Sequence, residues 1–271
     1  MNLRNDLKIW WRSGSWDFAW TRAHSVRPED AHVYTWEDIP IHYRPGTTDK
    51  GAIYTVLVLP DSKAEYRVPA DIEANVILDI GGHIGVAAAY LAHRFPKAKI
   101  YSFEPFSDNF ALLQRNTASL ANVQALAYGL SSKTGTFDIY PSQDPRNVGN
   151  YSLFTLAGDG LNAVGDPSRP TMADIRAVPD AFAELGIDRV DLIKIDTEGA
   201  EYDILTSMDR SVLSNVSWIM GELHGNRDFE LLAYLSEWFD LEVHKKMESH
   251  LFLFNARNKS LKDRARETSS E

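Results

Sequence analysis

VILDIGGHIG, residues 76–85, carries an apolar run into Asp79 and Ile80 and then into glycines at 81, 82 and 85. A short apolar run closed by glycines reads as a buried strand turning sharply into a helix. That helix is predicted over 84–95 and is ended by Pro96. Glycines permit the tight turn and let a ligand lie against the backbone, and a helix N-terminus there offers free N–H groups. The dinucleotide fingerprint requires glycine at 81, 83 and 86, but 83 is His and 86 is Val. A carboxylate at the strand end repels a pyrophosphate and suits an ammonium group, so Asp79, Gly81, Gly82 and Gly85 are candidate ligand-binding residues.

Working outward, strands alternate with helices. Strands are predicted at 100–103, 123–127, 190–195 and 216–220, and helices over 108–120, from Ala200, and over 229–239. Residues 136–140 alternate and form an extra strand or hairpin arm; 241–243 and 251–254 make a closing antiparallel pair. Residues 141–175 hold much of the Gly, Pro, Asn and Asp; with Asn150, Tyr151 and Phe154 they are the expected lid and acceptor wall. The alternation implies a doubly wound α/β domain, mostly parallel with an antiparallel C-terminal strand and helices on both faces. Ligands then bind beyond the carboxyl ends of the strands.

The next strand ends in YSFEP, 101–105, placing Glu104 and Pro105 at its tip, 19 residues after Gly85. An acid at that spacing accepts bonds from both ribose hydroxyls; the bland alternative is a helix-start charge beside Asp108. LIKIDTEGAEYDIL, 192–205, ends its apolar run at Asp196 and adds Glu198 and Glu201. Glu201 reads as a first-turn helix acid, and the run lacks the spacing of a calcium loop. WIMGELHG, 218–225, closes on Glu222 and His224, two apart and on one face if the strand continues.

An ammonium against Asp79 and a ribose against Glu104 together describe S-adenosylmethionine. On VILDIGGHIG, FEPFSDNFALLQRN (103–116) and LIKIDTEGAEYDIL, with RPGTTDKGAI (44–53) and GELH (221–224), the chain resembles the FkbM family of S-adenosylmethionine-dependent methyltransferases over residues 42–255. Asn109, Leu113 and Asn116 stand where the resemblance leads one to expect them, whereas His83 departs from the usual Asn. The resemblance implies a Rossmann-like class I methyltransferase sheet. It also implies O-methylation of a hydroxyl on a sugar, polyketide or other secondary metabolite. Asp196 then points into the same crevice as the glycine turn and belongs to both cofactor and catalytic sets. Glu198, Glu222 and His224 complete the catalytic candidates. Two chemistries stay open: His224 as general base oriented by Glu222 or Asp196, or Asp196, Glu222 and His224 as ligands of a divalent metal. A nicotinamide-dependent oxidoreductase and a non-catalytic cofactor-binding module are the alternatives.

The 271 residues carry a formal charge of −10, which argues against nucleic acid, and no Cys, which excludes disulfides and thiolate chemistry. No transmembrane span or signal-peptide core is legible, and a cytoplasmic protein is expected. Trp10, Trp11, Trp16 and Trp20 fall on two short helices broken at Ser13-Gly14-Ser15. Three segments follow: a Trp-rich cap over 1–45, which packs on the body or mediates homo-oligomers, a domain over 46–256, and a polar tail over 257–271. The expected partner is a small hydroxylated acceptor.

Overall fold

The computed structural model describes residues 3–142, 144, 146–148, 151–152, 168, 170–224, 227–245 and 252–261. The chain opens with α1 (Leu3–Ser13), α2 (Trp16–Trp20), β1 (His32–Trp36), β2 (Ile39–Tyr43) and α3 (Asp49–Ile53), the last continuing as a π-helical turn over Tyr54–Val58. Then come β3 (Val76–Ile80), α4 (Val86–Arg94), β4 (Lys99–Phe103), α5 (Ser107–Thr117) and β5 (Val123–Leu126). A smaller β-rich section holds β6 (Gly129–Ser131), β7 (Gly135–Pro141), β8 (Tyr151–Ser152) and β9 (Thr171–Ala177). The chain then runs through α6 (Val178–Leu185), β10 (Leu192–Ile195), α7 (Glu201–Ser207), α8 (Arg210–Leu213), β11 (Trp218–Leu223), α9 (Asp228–Leu235), β12 (Phe239–Lys245) and β13 (Phe252–Asn258).

The main sheet has seven strands in the order β12-β13-β11-β10-β3-β4-β5. Its five strands β11, β10, β3, β4 and β5 are parallel, while β13 runs antiparallel to β11 and β12 antiparallel to β13. This is the doubly wound sheet the alternation predicts. Period-two burial sorts each strand between two cores. Leu78, Ile80, Phe103, Ile193 and Ile195 pack with α6, α7 and α9 on one face. Ile77, Ile100, Leu192 and Met220 pack with α4 and the N-terminal segments on the other. Phe18, Ile41, Tyr43 and Ile53 belong to that second core, so the described N-terminal elements complete one face of the sheet. Among the described residues no helix is long and apolar enough to cross a membrane.

Several boundaries differ from the sequence reading. The strand expected at 216–220 lies at Trp218–Leu223, which carries Glu222 into the sheet. The helix expected over 229–239 stops at Leu235, because Phe239 is buried as the first residue of β12, opposite Asn258. Within the expected loop 141–175, Thr171–Ala177 is β9; its Ala173 and Ile175 alternate inward against Ile139, a short pattern built from few large side chains. Asn150, Phe154 and the side chain of Tyr151 lie outside the described residues. At the other end β13 extends to Asn258, whose amide donates to the Ser214 and Val216 carbonyls, so the sheet continues past residue 256. The hairpin β1–β2 had no signal in the sequence reading. Its turn places Glu37 and Asp38 at φ 46° and 63°, a conformation that usually selects Gly or Asn.

Candidate active site

Five parallel strands end on one side of the molecule, and a cavity of about 410 Å³ opens there. Gly81, at the end of β3, adopts φ 80°, and its N–H and that of Gly82 donate to the Phe103 carbonyl at 3.1 and 2.8 Å. A Cβ on Gly81 would lie 1.8 Å from the Asp196 carbonyl oxygen, so glycine is required by close passage of β10 as well as by φ. Gly85, at φ 86°, meets Leu113 in the same way: an added Cβ would lie 2.8 Å from its Cδ1. Asn116 clamps this turn from behind, donating to the Ile84 and His42 carbonyls at 2.7 and 2.9 Å.

Glu104 stands at the tip of β4 and lines the cavity, 4% exposed. Its two carboxylate oxygens accept from the backbone N–H groups of His83 and Phe106 at 2.8 and 3.0 Å. Burial pushes this carboxyl up to about 7, against the lowering effect of those donors and of nearby His83 and Lys194. Pro105 lines the cavity beside it. Asp79 does not. It is fully buried under the glycine turn, accepting from Ser102 Oγ at 2.6 Å on one side and lying 3.4 Å from Lys194 Nζ on the other. Cross-strand register explains this: Asp79 sits opposite both Ser102 and Lys194, and Lys194 Nζ donates onward to the Gly81 carbonyl at 2.5 Å. The expected ammonium partner is thus a brace for the turn. Gly82 and Gly85 likewise shape the turn from outside the cavity lining.

Asp196, Glu198 and Glu222 line the opposite end of the cavity, and His224 stands buried just behind them. Asp196 Oδ2 accepts from Tyr66 Oη at 2.7 Å. Burial, then Asp196, Glu65 and Glu222, push the Tyr66 hydroxyl well above its usual range, so it stays protonated and donates. Glu201 is no simple helix-start acid. Its Oε1 accepts from Thr197 N and Gly199 N at 2.9 and 3.3 Å and lies 2.9 Å from His224 Nδ1. Burial alone would raise the Glu201 carboxyl, but His224 and these donors hold it low. Burial likewise opposes charging of His224, yet Glu201 and Glu198 raise the imidazole well above its usual range. Glu198, on a strained backbone at φ 58°, is pushed up to about 8 by burial. His224 lowers it; Asp196, Glu222 and Glu201 raise it further.

Glu65 and His83 also line the cavity, and Tyr66, which the sequence reading did not single out, stands behind it. Tyr66 and Glu65 come from the segment before β3, and no spacing links them to Asp196, 130 residues away. His83 Nε2 lies 3.0 Å from Asp49 Oδ1, and Asp49 accepts from Arg44 Nε and Nη2 at 2.7 and 2.9 Å. Burial opposes charge on Asp49, but His83 and Arg44 hold its carboxyl well below the usual range. Arg44 Nη2 also donates to Asn109 at 2.7 Å. The motif positions Arg44, Asp49 and Asn109 therefore form one buried lattice that steadies His83 and, through its N–H, Glu104.

A family model described as a methyltransferase FkbM domain matches residues 79–257. The chain is 32% identical over 157 residues to methyltransferase sdnD of Sordaria araneosa, covering 49% of this chain and 60% of that protein. It is 26% identical over 160 residues to the 2-O-methyltransferase NoeI of Sinorhizobium fredii, covering 57% and 65%. It thus spans less than two thirds of either relative. A crystal structure of methyltransferase FkbM from Methylobacillus flagellatus shares the fold, with TM-score 0.50 at 17% identity, covering 73% of this chain and 48% of that one.

Proposed function

The chain belongs to the FkbM methyltransferase family, and from that premise we propose that it transfers the methyl group of S-adenosylmethionine to a hydroxyl oxygen of a small molecule, a sugar or other secondary metabolite. The observation that carries this reading is one cavity joining Glu104 at β4 to Asp196, Glu198 and Glu222 at β10 and β11. The residues fit the cofactor. Each Glu104 oxygen accepts one backbone N–H and keeps a further lone pair, and the residue lines the cavity where a pair of vicinal hydroxyls could donate to it. Phe106, Leu130, Ile139 and Ile175 give the same end an apolar wall for a flat base. Gly81 presents backbone without a side chain between the two ends.

When bound, the cofactor supplies an already activated methyl group, so the protein's task is alignment. An alcohol acceptor must also lose its proton. The acid corner is where this chain can take it: Asp196 is oriented by Tyr66, and His224 is held behind it by Glu201. The relative whose name specifies 2-O-methylation supports an oxygen acceptor.

Calorimetric titration with S-adenosylhomocysteine, with NAD as control, tests the first half. Binding of the former alone is expected; binding of NAD alone would overturn the reading. Release of S-adenosylhomocysteine on addition of hydroxylated acceptors tests the second half, and transfer only to amines would refute an oxygen acceptor.

A further inference from the structure

The end of the cavity formed by β10 and β11 carries more convergent ligand atoms than alignment of a methyl donor requires. His224 Nε2 lies 3.4 Å from Glu198 Oε2, 3.5 Å from Glu222 Oε2 and 3.6 Å from Asp196 Oδ1. These are ion-pair distances, and among the described residues Nε2 has no closer hydrogen-bonding partner, although the His224 side chain is only 2% exposed. The other ring nitrogen is committed. Nδ1 faces Glu201 Oε1 at 2.9 Å, and that oxygen already accepts from two backbone N–H groups. A carboxylate so solvated is an acceptor, so one proton stays on Nδ1 facing it, and a cation among the acids would replace the proton that Nε2 carries in the ion-paired imidazolium.

A buried imidazole nitrogen 3.4–3.6 Å from one oxygen of each of three carboxylates is close enough for a cation to draw them together, and Asp196 and His224 already have ligand atoms within 4.8 Å of each other in a group that includes Glu201. A cation about 2.1 Å from its N and O ligands leaves neighbouring ligands about 3.0–3.4 Å apart, a contraction of a few tenths from the observed distances. Glu65 adds a fourth carboxylate, with one oxygen each of Glu65, Asp196 and Glu222 lying within 4.8 Å of one another. The carboxylate behind the imidazole matches the outer-shell partner that orients a metal-bound histidine.

We propose that His224 Nε2, Asp196 and Glu222 bind a divalent first-row transition cation, with Glu201 orienting the imidazole and Glu65 facing the ion across the cavity. One imidazole among carboxylates favours manganese, iron or cobalt over calcium. Asp196 and Glu222 line the cavity, so the open coordination positions face the acceptor. There the cation draws in a hydroxyl oxygen and lowers its pKa, and the released proton goes to a wall carboxylate. This use of the ion rests on the O-methyl transfer reading; its binding does not.

The test is titration of chelator-treated full-length protein with Co²⁺, followed by visible absorption, and with Mn²⁺, followed by loss of the free-ion electron paramagnetic resonance signal. One equivalent of each is expected to bind, with a Co²⁺ spectrum that changes in His224→Ala. Glu201→Gln should weaken binding roughly 10–100-fold, Asp196→Asn and Glu222→Gln more, and Asp203→Asn, at an exposed position, not at all. Absence of stoichiometric binding at millimolar ion, or equal binding in wild type, Asp196→Asn and Glu222→Gln, overturns the proposal. If those variants fail to fold, hyperfine-shifted imidazole proton resonances in the wild-type Co²⁺ protein decide; none would overturn it. Parallel S-adenosylhomocysteine titrations separate the two ideas. Ion binding without it sinks only the methyltransferase reading, and the converse sinks only the ion site.

Discussion

Glu104 shows how burial turns one side chain into a pH-dependent ligand contact. Its raised pKa means that the folded protein holds a proton which the unfolded chain releases between pH 4.5 and about 7. Its contribution to stability is therefore greatest below that window and falls, by on the order of 3 kcal/mol, as pH rises through it. Ribose hydroxyls donate to the ionised form, so S-adenosylhomocysteine affinity should rise as pH passes about 7, with proton release on binding near pH 6. Titrations in buffers of different ionisation enthalpy check this. Glu104→Gln should flatten the profile and weaken binding at pH 8 by roughly 1.5–3 kcal/mol; an unchanged profile would remove Glu104 from the ribose site. His224→Ala is expected to lower turnover while leaving S-adenosylhomocysteine affinity within about threefold, since the ring stands behind the acid corner, away from Glu104. Equal loss of both would indicate a structural role. At this scale Glu104, Asp196, Glu222 and His224 were legible because each sits at or beside a strand end. Tyr66 was not, nor was the partner of His83, because these pairings are fixed only by folding.

At the scale of elements, the junction of β3 with β10 governs the site. Gly81→Ala would force a Cβ into the Asp196 carbonyl at an unfavourable φ. It should cost at least about 2 kcal/mol of stability and displace Asp196; thermal melts together with S-adenosylhomocysteine titration check it. Arg44→Ala leaves buried Asp49 with no guanidinium beside it and should destabilise by about 3–5 kcal/mol. If its melting temperature matches wild type, the Arg44–Asp49–Asn109 lattice is not what steadies the glycine turn. Elements with strong apolar runs or glycine punctuation were legible to within a few residues. Those missed had weaker local chemistry: β1–β2 turns on Glu37-Asp38, and β9 is a strand of small and charged residues closed by sheet pairing.

For the whole molecule, the matched family segment begins at residue 79, yet the core does not. Phe18, Ile41, Tyr43, Ile53 and Val56 share one apolar cluster with Ile77, Ile84 and Ile100. A fragment starting at residue 75 would expose that face of the sheet and should aggregate or lose its cooperative melt. Soluble, cooperative behaviour of the fragment would show the N-terminal segments to be dispensable. The sequence by itself determined the doubly wound sheet, the glycine turn and which strand ends carry acids. Those features follow from hydrophobic period and backbone freedom, which are local along the chain. Only the tertiary structure decided that Asp79 braces the turn instead of facing the cavity, that Glu201 holds His224, and that Tyr66 orients Asp196. Each of these depends on register between strands or on segments more than 20 residues apart meeting in a low-dielectric interior. There, a buried polar atom must find a partner, and proximity in space, which spacing along the chain does not encode, determines which one it finds.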